Sequence, residues 1–225
     1  MATVAKYKFN QTIPISSSPL AILKSDFSRG SEDWTAVEGD QSLSLQYDTV
    51  NKLIRINSNI MTPENGYFLA PPLYLGDQRA SYNQELKFTF QTTERGGVRP
   101  SFEDIVIEGG GAKATRITLS ITDQNNTMPD MMKNDYTFRL HENPKFGWNP
   151  RLSAKDYIAI LANITAIRIR GTYGGEGQGL LDEVKLGTAE RGGTGPPATW
   201  EDISSCFDQK SFTLQSPMRD GKLGN

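Results

Sequence analysis

Apolar and polar residues alternate with a period of two in short runs through most of this chain. In Ile164-Thr-Ala-Ile-Arg-Ile-Arg-Gly-Thr-Tyr173, Ile167 and Ile169 fall on one side and Arg168 and Arg170 on the other. That is the pattern of a strand with one buried and one wet face. Leu86, Phe88 and Phe90 share a face in the same way, as do Ile117, Leu119 and Ile121, and Tyr136, Phe138 and Leu140. Further β-rich runs lie at Leu43–Tyr47, Leu53–Ile56, Tyr67–Ala70, Ile105–Ile107 and Gly179–Leu186, the last with the carboxylate pair Asp182-Glu183 where the strand begins. Turn-formers separate them: Glu64-Asn-Gly66, Gly76-Asp77, Gly96-Gly97 and Gly109-Gly-Gly111. Many short alternating strands with glycine-rich connections predict an all-β sandwich or barrel.

One segment departs from period two. Ile158, Leu161 and Ala162 form a stripe at helical spacing, with Tyr157 beside it. Ser153 is placed to cap a helix start, with Asp156 three residues on as a capping-box partner. Asn163 suits the left-handed position that ends a helix. A short helix is therefore expected near 153–162. Polar composition marks residues 1–19 as a flexible lead-in and 201–225 as a disordered tail, leaving 20–200 as the domain.

Composition narrows the function classes. Among 225 residues, Lys+Arg 24 stand against Asp+Glu 26, for a net charge of -2. No basic stripe of the kind that grips nucleic acid is present. No apolar run reaches the length that crosses a bilayer, so no membrane insertion is expected. The start, Met1 to Phe9, carries lysines where a signal peptide needs its apolar stretch, so secretion is not encoded in this stretch. The single cysteine, Cys206, allows no internal disulfide and no thiolate metal cluster.

Candidate chemistry is sparse. A sandwich can tie its first and last strands together with a structural Ca²⁺ held by hard oxygen ligands. Asp26 near the first strand and Asp182 with Glu183 in the last are the candidate ligands; no cofactor is required. Asn10, Asn125 and Asn163 each begin an N-x-[ST] glycosylation tripeptide. Trp34, Trp148 and Trp200 offer stacking surfaces for a sugar, although sealing the core is their plainer role. His141 is the one histidine, and no nucleophile motif accompanies it. Gly109–Gly111 lacks the following Lys-Ser/Thr of a phosphate loop and reads as a turn. The pairs Glu103-Asp104 and Asp182-Glu183 would point to opposite faces of a strand, which denies each pair a glycosidase geometry. Asp104 is then a strand-edge turn residue.

The order of motifs resembles the laminin IV type A (L4, or laminin B) domain, closest to the γ-chain type. The matching segments are Tyr67–Asp77, Ser81-Tyr82 with Leu86–Phe90, Asp104–Gly109, Tyr136–Glu142 with Trp148, Leu161–Tyr173, Leu181–Leu186 and Pro196–Trp200. The resemblance implies a jelly-roll-like antiparallel β-sandwich similar to galactose-binding and carbohydrate-binding modules. It also implies a non-catalytic structural module of the extracellular matrix or basement membrane, inserted within a cysteine-rich rod, with matrix proteins or glycans as partners. A carbohydrate-binding module is the alternative reading. After Trp200 the sequence departs from the family's cysteine pair, which suggests a module separated from its usual surroundings.

Overall fold

The computed structural model describes residues 21–57, 65–93, 101, 103–112, 114–173 and 176–189. Asn10, Trp200, Cys206 and both expected tails lie outside them. The described chain is mainly β: β1 (Ala21–Ser25), β2 (Thr35–Glu38), β3 (Gln41–Leu43), β4 (Leu45–Asp48), β5 (Leu53–Asn57), β6 (Gly66–Leu69), β7 (Glu85–Thr92), β8 (Ile105–Gly109), β9 (Arg116–Leu119), β10 (Asn134–Arg139), β11 (Ile164–Arg170) and β12 (Gln178–Thr188). Among the described residues there is one α-helix, α1, spanning Ala154–Leu161. The strands form two antiparallel sheets. The first runs β10-β7-β12-β5-β4 with β1 added to β12, and the second runs β3-β2-β6-β11-β8-β9.

The period-two faces meet between the sheets. Leu86, Phe88, Phe90, Tyr136 and Phe138 come from the first, and Phe68, Ile105, Ile107, Ile117, Leu119, Ile167 and Ile169 from the second, all 2% exposed or less. Phe88 stacks on Tyr136 with ring centroids 5.5 Å apart and lies 5.7 Å from Phe138. At roughly 1.5–3 kcal/mol for each large side chain fully buried, this interior is the main stabilising contribution. A second aromatic group closes one side: Trp34 packs edge-on against Phe27 and Tyr74.

Several connections differ from the sequence reading. Leu43–Tyr47 reads as one strand, yet the chain leaves the ladder at Ser44, so that β3 belongs to the second sheet and β4 to the first. β2 was not legible, because Thr35-Ala-Val-Glu38 has only two adjacent apolar residues, of which Ala36 faces the core. The glycine-rich loop after β11 carries the chain across the sandwich to β12, and a Cβ at Gly179 would collide with the Gly171 carbonyl.

The helix forms as its start signal predicts. Ser153 Oγ accepts the Asp156 N–H at 3.2 Å and donates to Asp156 Oδ2 at 2.6 Å, so the serine caps the first turn while the aspartate holds its hydroxyl in place. Tyr157, Ile158, Ile160 and Leu161 are buried. Its end is not the one expected: Asn163 is not among the left-handed residues, and the helix closes through Ala162 in ordinary helical geometry. The Asn163 carbonyl instead accepts the Gly110 N–H at 3.0 Å. Gly109 therefore does more than turn the chain, since a Cβ there would strike the Ile160 carbonyl of α1.

Candidate functional site

The eleven-residue β12 organises the outer face of the first sheet. One of its edges is lined by β7; the other is shared by β5 along Gln178–Leu181 and β1 along Val184–Thr188. Against β7 the register slips between Asp182, opposite Thr89, and Lys185, opposite Lys87. Two β12 residues thus oppose one on β7, a bulge, with Glu183 in the left-handed region at φ 51°. The bulge lets Leu181 and Val184, three apart, both face the core at 0% and 1% exposure.

That geometry corrects two expectations about the carboxylate pair. Asp182 and Glu183 sit in the middle of β12, not at its start. Nor do they face opposite ways: Asp182 shares the outer side with its cross-strand partner Thr89, and Glu183 bonds outward-facing Lys24 and Lys185. They nonetheless diverge. Asp182 is 2.7 Å from Lys133 Nζ. Glu183 is 2.7 Å from Lys185 Nζ and 3.5 Å from Lys24 Nζ, and Lys24 also lies 3.2 Å from Asp26, just beyond β1.

The structure therefore brings Asp26 and Glu183 to a single ammonium group. Hydrogen bonds from Ser28, then Lys24, hold the Asp26 carboxyl well below the usual carboxylate range. Lys185, then Lys24, holds Glu183 down. Calcium at this point would have to displace Lys24. Among the described residues, no three His, Cys, Asp or Glu side chains gather into a group that could hold a metal ion.

Charge pairing continues across the sheet. Glu85 lies 2.8 Å from both Arg139 and Lys87, and Thr89 donates to Asp135 at 2.8 Å. The strand aromatics here, Phe88, Phe90, Tyr136 and Phe138, are core residues, while Tyr47 packs against the core and donates to the Phe27 carbonyl. Among the described residues, the outer face of this sheet thus presents ion pairs and no ring on which a sugar could stack.

The second sheet holds a feature that sequence reasoning missed. Arg170, expected on the wet face, and Asp104, expected at a turn, form a buried ion pair at 2.9 Å, with side chains 4% and 1% exposed. The other Asp104 oxygen accepts the Ile121 N–H at 2.7 Å. Arg170 Nε donates to the Thr172 carbonyl at 2.8 Å, and the guanidinium lies 4.4 Å from the Tyr173 ring centre. Burial pushes the Asp104 carboxyl up, against the pull of Ile121 N–H and Arg170. The pair ties the lead into β8 to the ends of β9 and β11. A signal was available in retrospect, since Asp104 and Arg170 each border an apolar run.

The remaining candidates divide clearly. Trp34 donates to Ser25 Oγ and Trp148 to the Arg139 carbonyl; both are buried, and neither offers a face to a ligand. His141 follows β10, stacks on Tyr82 at 5.2 Å and accepts the Asn143 N–H at Nδ1, 3.1 Å from Glu142. Asn125 and Asn163 are exposed, as are the threonines two residues after each. No helix among the described residues is long and apolar enough to cross a membrane.

Comparison with known proteins follows this architecture. The sequence matches the family described as Laminin B (Domain IV) over residues 67–202. Laminin subunit gamma-1 of Xenopus tropicalis is 40% identical over 183 residues, covering 81% of this chain and 11% of that protein. Laminin-like protein lam-2 of Caenorhabditis elegans is 37% identical over 191 residues, covering 82% and 11%. This chain therefore spans about a tenth of the length of those relatives. Among solved structures, the L4b domain of human laminin alpha-2 superposes with a TM-score of 0.56 at 18% identity, over 69% of this chain and 90% of that one. CtCBM11 does so at 0.50 and 14%, over 77% and 98%. Both likenesses establish the jelly-roll sandwich.

Proposed function

The chain belongs to the Laminin B (Domain IV) family, and from that premise we propose that it is a non-catalytic structural module of a laminin-like extracellular-matrix protein. Its work is to hold a rigid globule on a longer chain and to present an interaction surface to matrix proteins or glycans. One observation carries this reading: Ala21, the first residue of β1, is paired with Thr188, the last of β12. Paired residues on antiparallel strands lie about 5 Å apart. The chain thus arrives and departs at one point, the geometry of a lobe set into another structure and not of a bead threaded along it.

The charge arrangement supports the absence of catalysis. Glu85, Asp182 and Glu183 on the outer face of the first sheet are matched to lysine or arginine, and the buried Asp104 is matched to Arg170. Groups neutralised in this way stabilise a surface; they do not converge on a reacting atom.

Three experiments test the proposal. Residues 21–189 grafted into a tight turn of a carrier protein should leave both partners folded, each with its own melting transition. Failure of the carrier to fold would refute insertion through neighbouring ends. Antibodies against the chain should stain matrix; staining confined to cell interiors would refute the extracellular role. Tight, saturable binding on a glycan array would favour the carbohydrate-binding reading instead.

A further inference from the structure

The outer edge of β10 is closed by two side-chain amides. Asn126 Oδ1 accepts the Thr137 N–H at 3.3 Å, and its Nδ2 donates to the Thr137 carbonyl at 3.1 Å. Two residues along, Gln124 Oε1 accepts the Arg139 N–H at 2.7 Å, and its Nε2 lies 3.4 Å from the Arg139 carbonyl and 2.9 Å from that of Phe146. An antiparallel neighbour would bind the same groups in the same alternation, taking both the N–H and the C=O of every second residue. The opposite edge of β10 is occupied by β7. Gln124 and Asn126 therefore stand where a further strand would add, at a position that open sheets must protect against pairing with another chain.

Between these two plugs lies Asn125, exposed, with φ 67°, next to Gln124 at φ 59°. It is the first residue of Asn125-Asn126-Thr127, an acceptor tripeptide whose Thr127 is exposed as well. The second described tripeptide, at Asn163, is less free: a Cβ at Gly110 would lie 3.2 Å from Asn163 Nδ2, and Thr165 belongs to β11.

We propose that Asn125 is an N-glycan acceptor and that its glycan, flanked by the Gln124 and Asn126 plugs, guards the β10 edge against pairing with a second copy of this chain. The proposal rests on the extracellular reading above, because the modifying enzyme acts in the secretory route. A bulky hydrated chain on Asn125 excludes an approaching strand sterically, while the amides remove the hydrogen-bonding template. Each guard acts without the other.

The full chain is placed behind a secretion signal in a eukaryotic host, and its peptides are mapped by mass spectrometry with and without a glycan-releasing amidase. The Asn125 peptide should carry a glycan that Thr127→Ala abolishes. An unmodified Asn125 peptide overturns the site and leaves the module reading intact, because the route was imposed. Conversely, an intracellular native chain overturns that reading and leaves the acceptor standing.

Sedimentation velocity then compares the wild type, Thr127→Ala, the double variant Gln124→Ala/Asn126→Ala, and all three changes together. The double variant keeps its acceptor tripeptide. The first three should be monomers and the triple variant a concentration-dependent dimer. A monomeric triple variant, or a dimeric wild type, overturns the guard. Should the triple variant not fold, hydrogen exchange of the single variants decides. Exchange at the Thr137 or Arg139 amide should quicken roughly tenfold when its plug is cut to alanine; unchanged exchange overturns the guard.

Discussion

Arg168 and Arg170 look alike in the sequence, two residues apart on one strand and on one side of it. Arg168 reaches Glu108 at 3.4 Å with both side chains about a third exposed, and such a pair contributes at most about 1 kcal/mol. Arg170 is buried against Asp104. Removing one member of a buried pair costs about 3–5 kcal/mol, because the other charge is left in a medium that solvates it poorly. Asp104→Ala should therefore shift the urea midpoint far more than Glu108→Ala, and the difference tests the assignment. Asp104→Leu with Arg170→Met should recover much of the loss, since no lone charge remains. Alternation told which side of β11 the arginines occupy. It could not tell which of them the loop after β11 and the segment before β8 would cover.

At the scale of elements, local signals were reliable where the local chain decides the outcome. Ser153 and Asp156 foretold the helix start because both partners lie within one turn; Ser153→Ala should lower stability by about 0.5–2 kcal/mol in thermal melts. The Phe88 face was equally readable, and Phe88→Ala should cost about 3–5 kcal/mol by the same measurement. The bulge in β12 was hidden because nothing in Leu181-Asp-Glu-Val184 signals that two residues oppose one. Reading strict alternation there split Asp182 and Glu183 between faces, whereas the extra residue returns both to the outside. The crossing at Ser44 was hidden likewise, since a strand that changes sheets keeps its β character throughout. Asn163 is not the left-handed terminator because the helix already closes at Ala162 and β11 begins at Ile164, leaving Asn163 as the single link between them.

For the whole molecule, the fold class was legible because burial periodicity is a property of each strand, while sheet membership belongs to the assembly. The candidate carboxylates were found, but their lysine partners were not, because Lys24, Lys133 and Lys185 come from three separate strands or loops. Those partners set the response to acid. Asp26 and Glu183 have lowered pKa values in the fold, so their stabilisation is full above the ordinary carboxylate range and is lost progressively as pH falls below it through the lowered native values. Lys24 acts on both. Lys24→Met should consequently flatten the loss of urea resistance between about pH 5 and about pH 2 relative to the wild type. Melting with calcium and with chelator addresses the same spot: a rise with calcium means that the ion replaces Lys24 between Asp26 and Glu183, and identical curves mean that the ammonium stays.

The pairing of Ala21 with Thr188 also decides how tension would act. A pull on the two flanking segments loads the β1–β12 ladder from one end, so its hydrogen bonds break in succession instead of shearing together. The lobe would yield at low force and release a tether of roughly 550–600 Å, the extended span of the chain between those residues. Where the flanks are fastened to each other, the same force bypasses the globule and its sandwich stays shut.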